Sequence, residues 1–267
     1  MTAPTLPTAS AAPPVSPSFI TTTATIAGRN IHRIVRNTGS MISATVIPGM
    51  FLVALYIVFS TVMEANDIDY AQYLVPAASL QAILFTAGGS AMAIGVDKTS
   101  GINDRLRASP VPTAAPVVGR LLADLTRAVM SVAVVTVVGA VLGFRWHGGG
   151  VDLLIYLLTA LGFAVGASLV YDGIALLAAT PESAATILQA VSMPLIMLST
   201  SYVPAETLPS GAAPIVEALP VSVIGEILRQ SSTGTVGAGP LLAATAWIIG
   251  LIVVGGALSA KAFRRKS

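Results

Sequence analysis

Long apolar stretches dominate the chain and recur six times between residues 42 and 262. Each is long enough to cross the roughly 30 Å hydrocarbon layer of a bilayer as an α-helix rising about 1.5 Å per residue. Because the period-two alternation of membrane β-strands is missing, the pattern predicts helices rather than a barrel. The predicted fold class is an all-α membrane protein with six transmembrane helices, at residues 42–63, 73–96, 122–144, 152–179, 183–203 and 240–262.

The chain before the first span has two different parts. Residues 1–18 are rich in Thr, Ala, Pro and Ser without a charged side chain, so we expect a disordered cytoplasmic tail. Within residues 19–40, the pattern over 24–36 predicts an amphipathic helix that lies in the headgroup layer, before a permease domain at 41–267. A solvated helix of a soluble tail is the alternative. One arc carries Arg29, Arg33 and Arg36, and the opposite arc carries Ala24, Ala27, Ile31, Ile34 and Val35.

The segment between the last two predicted spans, residues 204–239, is divided by four prolines. It contains short apolar pieces at Ile215–Leu219 and Val221–Leu228, which predict short helices. These pieces cannot span a membrane and are too apolar to stand in water. We expect them to dip into the outer leaflet or to cap the bundle.

The distribution of positive charge gives the orientation, because Lys and Arg concentrate in cytoplasmic loops. With an even number of spans, both termini share one side, and nearly all basic residues lie on it. Both termini are therefore predicted to be cytoplasmic. That side carries Arg29, Arg33, Arg36, Lys98, Arg105, Arg107, Arg120, Lys261, Arg264, Arg265 and Lys266, and the other carries Arg145 and Arg229.

Composition agrees with a membrane class and excludes several chemistries. Of 267 residues, 54% are hydrophobic and 10% are charged, whereas soluble domains have about 25% charged residues. Cysteine is absent, which excludes disulfides and thiol catalysis, and two histidines do not indicate a metal site. No phosphate-binding G-x-x-x-x-G-K-[ST] motif occurs, so any ATP and Mg would be bound by another chain. Scarce lysine with abundant Ala, Gly, Val and Arg suggests a high-GC bacterium, so we expect the membrane to be a bacterial inner membrane.

A few ionisable residues fall within or beside the predicted spans. Asp172 lies in the fourth span, where a lone carboxylate costs about 2.5–3.5 kcal/mol on insertion scales. It could be a proton or substrate site, but a structural carboxylate near the cytoplasmic boundary is the preferred interpretation. Arg120, Asp124 and Arg127 follow at helical spacings of four and three, which predicts pairing along one face.

Two glycine pairs, Gly139/Gly143 and Gly162/Gly166, have the G-x-x-x-G spacing that lets membrane helices approach closely. We interpret them as packing positions. The spacing leaves open whether they pack within one bundle or between two permeases.

The cytoplasmic loop at residues 97–116 is long, polar and interrupted by glycine and proline. Gly101 is predicted to end the second span, and Pro110 to end a short charged helix after it. A rigid helix at the membrane surface suits docking to a cytoplasmic partner, although an ordinary positive loop would also fit. The predicted helix presents Asp104, Arg105, Leu106 and Arg107.

The sequence of this loop resembles that of a known protein family. The run GINDRLRASPVP followed by GRLLAD, at residues 101–124, resembles the type-2 permeases of ABC transporters, and most closely the daunorubicin-resistance-type membrane subunits. The helix before the first span, the six-span layout, and SYVPAETLP with the proline-initiated helix at Pro220–Arg229 agree with it. The resemblance implies an ATP-driven exporter that moves a hydrophobic drug, lipid or glycolipid outward.

The same resemblance implies the partners. They are separate nucleotide-binding ATPase subunits, a second permease that is identical or homologous, and membrane lipid, but no nucleic acid. The implied contacts with the ATPases are the amphipathic helix and the loop, through Arg29, Arg33, Arg36, Gly101, Asp104, Arg105, Leu106 and Arg107.

Three other classes remain to be weighed. A proton-coupled secondary transporter using Asp172 is the main alternative. One acid without a basic partner in another span is weak support for a proton-relay pathway. An intramembrane enzyme is disfavoured because no catalytic motif is present. A purely structural membrane protein would not explain the specific sequence of the loop at residues 97–124.

Overall fold

The computed structural model describes residues 18–36, 38–99, 114–202 and 211–264. These residues form nine helices and contain no strand, as the all-α prediction required. Of the predicted tail at 1–18, only Ser18 belongs to the described residues. The predicted short charged helix at 104–107 lies outside them. The helices are α1 (Phe19–Arg36), α2 (Thr38–Glu64), α3 (Tyr70–Thr99), α4 (Ala115–Val141), α5 (Gly150–Leu177), α6 (Pro181–Met197), α7 (Ala213–Glu217), α8 (Pro220–Thr233) and α9 (Ala238–Arg264).

Five of the nine helices, α2, α3, α4, α5 and α9, are long and apolar enough to cross a membrane. They coincide with five of the six predicted spans. The largest boundary difference is in α4, which begins at Ala115 rather than at 122. Polar residues near its start did not end the helix because Pro116 fits its first turn and Arg120 finds a partner on α3.

The remaining predicted span, 183–203, is shorter in the structure. Helix α6 has 17 residues, about 26 Å of helix, and ends at Met197. Its apolar core, Ser183–Met197, falls below the length that marks a span by itself. After Met197 the chain turns because hydroxyl groups bind backbone: Ser199 Oγ donates to the Ile196 carbonyl at 2.6 Å. The six-span count is therefore not established by helix length.

Helix α3 lies at the centre of the bundle and packs against α2, α4, α5, α6 and α8. Its side chains Leu74, Leu80 and Ile94 are fully buried. Helices α2 and α9 lie at the periphery, where large apolar side chains such as Ile57 and Val253 are exposed. Such faces suit lipid or another membrane chain.

The glycine pairs pack within this chain. In α5, a Cβ added to Gly166 would lie 2.8 Å from Leu251 Cβ of α9, and one on Gly162 would meet Ile248. A Cβ added to Gly139 would overlap the Val75 side chain of α3. Gly143 lies just after the end of α4 and has a φ of +118°, so glycine is needed there for the backbone turn rather than for helix packing. The question left open by the spacing is thus resolved for Gly139, Gly162 and Gly166 in favour of packing inside the bundle.

Two short helices occur where they were predicted, as α7 and α8. Helix α8 begins with Pro220 and ends at Thr233, and the next residue, Gly234, caps it with a left-handed φ of +77°. One face is buried against α3, α5 and α9 through Ile224, Ile227 and Leu228. Helix α8 therefore caps the bundle, as one of the two predicted placements stated.

Helix α1 includes the segment in which the amphipathic pattern was predicted. Its first turn is stabilised by Ser18, whose Oγ accepts a hydrogen bond from the Thr21 amide at 3.2 Å. It packs along the first half of α4, where a Cβ on Gly119 would lie 2.9 Å from Ile26. The buried face is rotated from the predicted arc: Ala27 and Ile34 are buried, whereas Ala24 and Val35 are exposed. Burial in protein, including Thr22, Thr23 and Ile26, explains the difference.

Candidate functional site

Asp97, near the end of α3, joins three helices at the end of the bundle predicted to be cytoplasmic. Its Oδ1 accepts from Arg33 of α1 at 2.8 Å, and its Oδ2 accepts from Arg120 of α4 at 3.2 Å. The Asp97 side chain is 4% exposed, whereas that of Arg33 is 44% exposed. We call Arg33, Asp97 and Arg120 the ion triad. It fastens α1 to the two helices that flank residues 100–113.

The ion triad changes the interpretation of the predicted coupling residues. Arg33 is engaged inside the chain, while Arg29 and Arg36 are exposed and contact only near neighbours on α1 among the described residues. Arg29 Nη2 donates to Asn30, and Arg36 lies 3.3 Å from His32 Nε2. The remaining predicted contacts, Gly101, Asp104, Arg105, Leu106 and Arg107, lie outside the described residues.

A second group of polar side chains is buried deeper, between α3 and α4. Asp124 accepts from Ser90 Oγ at 2.8 Å, and Arg127 Nη1 donates to the Thr86 carbonyl at 3.4 Å. Asp124 and Arg127 are both buried. Arg120, Asp124 and Arg127 each hydrogen-bond across to α3. Both arginines also lie close enough to Asp124 to interact with its charge, in line with the predicted grouping along one face of α4.

Asp172 of α5 lies beside this group, close to Asp124 and Ser90. Its Oδ1 is buried and has no hydrogen-bond partner among the described residues. Burial between helices agrees with the expectation, common to both interpretations, that Asp172 faces protein or water rather than lipid. A contact with Ser90 links it to α3.

A cavity of about 810 Å³ lies against the ion triad and the buried polar group. It is bounded by α1, α2, α3, α4 and α6, and Asp172 is not among the described residues that line it. Gly89, Met92 and Val96 are exposed although most of α3 is buried, so the cavity opens sideways between α2 and α6. Its polar lining comprises Asn30, Arg33, Thr86, Ser90, Asp97, Arg120, Asp124, Arg127, Thr186 and Gln189, and its apolar lining includes Ile34, Ile47, Phe85, Met92, Val96 and Met193.

This mixture of lining groups suits an amphipathic molecule. Apolar side chains of α2, α3 and α6 can cover hydrocarbon, while buried guanidinium and carboxylate groups can meet polar atoms. The charged groups are costly to expose to hydrocarbon, so the open side requires protein or water.

The opposite end of the bundle is closed by a network that sequence reasoning missed. The Tyr202 hydroxyl donates to Gln81 of α3, and the Tyr73 hydroxyl donates to the Thr200 carbonyl. The Thr200 amide in turn donates to Ser222 Oγ of α8 at 3.1 Å. The run Ser199–Thr200–Ser201 inside an otherwise apolar segment was the available signal. The network ties the end of α6 to α3 and α8.

Comparisons with known proteins agree with this architecture. A family model described as ABC-2 type transporter matches residues 21–232. The chain is 27% identical over 230 residues to the daunorubicin resistance ABC transporter permease protein DrrB1 of Streptomyces coeruleorubidus, covering 85% of this chain and 80% of that protein. It is also 27% identical over 252 residues to the probable doxorubicin resistance ABC transporter permease protein DrrC of Mycobacterium tuberculosis, covering 93% and 90%.

The family match includes α1, the central helix α3, both polar groups and the capping helix α8. It therefore covers the whole cavity and both ends of the bundle, and it agrees with five helices able to span a membrane. On this basis, the chain is an integral membrane permease and belongs to the ABC-2 type transporter family.

Proposed function

We propose that this permease is the membrane subunit of an ATP-driven exporter that moves a hydrophobic drug, lipid or glycolipid outward. The observation on which the proposal rests is the cavity of about 810 Å³, whose lining combines charged groups with apolar side chains and which is exposed along α3. Its mixed lining suits amphipathic cargo. The names of the two relatives, which concern daunorubicin and doxorubicin resistance, support cargo of this class.

The proposed topology has six crossings with both termini cytoplasmic, in the inner membrane of a bacterium. Helix α6, about 26 Å long, together with the turn through Tyr202 would cover most of the roughly 30 Å hydrocarbon layer. The uneven distribution of arginine and lysine supports this orientation. The ion triad would then lie at the cytoplasmic surface.

A second permease, identical or homologous, would cover the open side of the cavity. Charged groups near the opening make lipid an unfavourable cover, whereas a second bundle could close the cavity into a shared path. The flanking faces of α2 and α6 expose apolar side chains that suit such packing, including Met50, Ile57, Ile187 and Val191.

Separate ATPase subunits would bind ATP and Mg and drive the change. Docking would involve the exposed Arg29 and Arg36 on α1 and the loop residues Arg105 and Arg107. Closure of the two ATPases would move the loop, and the ion triad would carry that movement to α1, α3 and α4 together. The cavity lies directly against these helices, so its shape would change with them.

Co-purification tests this proposal. A tagged chain extracted in mild detergent from its native membrane should bring down a nucleotide-binding subunit, and the double substitution Arg105→Glu with Arg107→Glu should reduce recovery at least tenfold. Reversal of both charges removes the surface complementarity that docking needs.

The matched control is Lys261→Glu, an exposed charge reversal near the same end of the bundle but on α9. This variant should recover the ATPase normally. The proposal is contradicted if no ATPase accompanies a monodisperse chain, or if both charge-reversed proteins lose it equally. A second permease, detected by differently tagged copies or by its own mass, should be present in the same complex.

A further inference from the structure

A second cavity lies between α4 and α5, in the half of the bundle away from the ion triad. Its volume is about 370 Å³. Ile83 of α3 and Ala160 of α5 are buried at its base, while Val137 and Leu157 are exposed at its sides. The cavity is therefore a groove in the flank of the bundle, separate from the cavity of the proposed transport path.

The polar groups lining this groove are used inside the protein. Thr136 Oγ1 donates to the Val132 carbonyl at 2.9 Å, and the Tyr156 hydroxyl donates to Ser79 Oγ at 3.0 Å. The Trp146 ring packs edge-on against Tyr156 at 5.6 Å between centroids. What remains for an occupant to touch is hydrocarbon and aromatic surface, which suits an acyl chain.

A fixed cation stands next to the end of the groove that Trp146 occupies. The backbone of Arg145 exchanges two hydrogen bonds with the Gln72 side chain, at 3.1 and 2.8 Å. Its guanidinium is exposed at the end of α4, where Nη1 donates to the carbonyls of Ala140 and Phe144 at 2.8 and 2.9 Å. These bonds use one of three guanidinium nitrogens and hold the charge beside Phe144 and Trp146, which line the groove, so the other two nitrogens remain able to bind an anion.

We propose that the groove between α4 and α5 binds one acyl chain of an anionic phospholipid whose phosphate pairs with Arg145. The hydrocarbon walls select the chain, and the positive charge selects the headgroup. In the proposed topology this lipid belongs to the outer leaflet. The site depends neither on the ATPase nor on cargo.

Tryptophan fluorescence offers a direct test because the chain has only two tryptophans. In the Trp247→Phe variant, Trp146 alone reports the groove. The protein is reconstituted in vesicles containing phosphatidylglycerol or phosphatidylcholine with brominated acyl chains, which quench tryptophan on contact. We expect brominated phosphatidylglycerol to compete for the site about fivefold better than brominated phosphatidylcholine, as one interfacial cation would give.

Variants separate this site from general lipid contact. Arg145→Gln should reduce the preference to about one, and Arg145→Lys should retain it. Ala133→Phe, at the exposed rim of the groove, should weaken quenching by both lipids several-fold, whereas Ala243→Phe, on the exposed face of α9, should not. Ala133→Leu provides a smaller obstruction if the phenylalanine variant does not fold.

Equal quenching by the two headgroups would indicate ordinary surrounding lipid and overturn the proposal. So would a preference that survives Arg145→Gln, or quenching that is unaffected by a folded Ala133 variant. Each outcome is independent of ATPase binding and transport.

Discussion

Asp97→Asn is expected to reduce transport at least tenfold while leaving the permease in the membrane. The substitution removes the one negative charge that holds both Arg33 and Arg120, at 2.8 and 3.2 Å. Only the Asp97 side of the pair with Arg33 is buried, but loss of its charge weakens both pairs at once, so α1 should loosen from α3 and α4. Transport per folded permease, measured in membranes that also contain the ATPase, checks the prediction.

The matched control is Asp67→Asn in the turn between α2 and α3. Asp67 is exposed and has a positive φ of 59°, a conformation that asparagine tolerates well. Its substitution should leave transport unchanged. Arg33→Gln should have a smaller effect than Asp97→Asn, because it leaves the pair between Asp97 and Arg120 in place. Normal transport by folded Asp97→Asn protein would show that the ion triad does not link α1 to the bundle.

The largest expected effect on stability comes from Gly255→Leu in α9. A Cβ at this position would lie 2.6 Å from the Leu169 Cβ and 2.6 Å from the Val170 amide nitrogen of α5. The obstruction is helix backbone, which cannot rotate away as a side chain could. Forcing the two helices apart should cost about 3 kcal/mol and lower the thermal midpoint in detergent by roughly 6–12 °C.

Gly256→Leu is the control, since a Cβ at Gly256 has nothing within 4 Å. The two variants change the same helix by the same side chain one position apart. Gly256→Leu should be as stable as the parent or slightly more so, because leucine favours helix over glycine. Equal midpoints for the two variants would contradict the close packing of α5 on α9.

Most of the transmembrane architecture was predictable because hydrocarbon imposes a strong and local rule. A span must be long and apolar, so α2, α3, α4, α5 and α9 could be located from sequence alone. The capping helix α8 was also predictable, since Pro220 fits a first helical position and its apolar face needs cover. Both predictions depend only on residues that are close together in the sequence.

The end of α6 was not predictable in the same way. The segment is apolar beyond Met197, but the Ser199 hydroxyl donates to a carbonyl in the last turn of α6 and the Ser201 hydroxyl donates to the Val221 carbonyl of α8. The Thr200 amide donates to Ser222 Oγ of α8. Whether hydroxyls continue a membrane helix or turn it depends on such partners, which come from 20 or more residues away. Hydropathy does not contain that information.

The polar site illustrates the same limit. The sequence located Arg33, Asp124 and Arg127 as candidates, but it placed Asp97 only at the start of a loop. The partner of Arg33 lies 64 residues away, and Arg120 pairs with Asp97 rather than with Asp124 one helical turn along. Spacing along one helix predicts which residues can meet there. It does not predict that a neighbouring helix offers a better partner.

The most direct test of the proposed function asks which energy source drives export. Inside-out vesicles containing the permease and its ATPase are given a fluorescent hydrophobic drug in the outer medium. Uptake is followed with ATP, with an ATPase variant unable to hydrolyse ATP, and with a protonophore. We predict uptake that requires ATP hydrolysis and survives collapse of the proton gradient, with Asp172→Asn protein still active. Uptake that persists without hydrolysis but stops with the protonophore or in Asp172→Asn would contradict the account and favour a proton-coupled transporter.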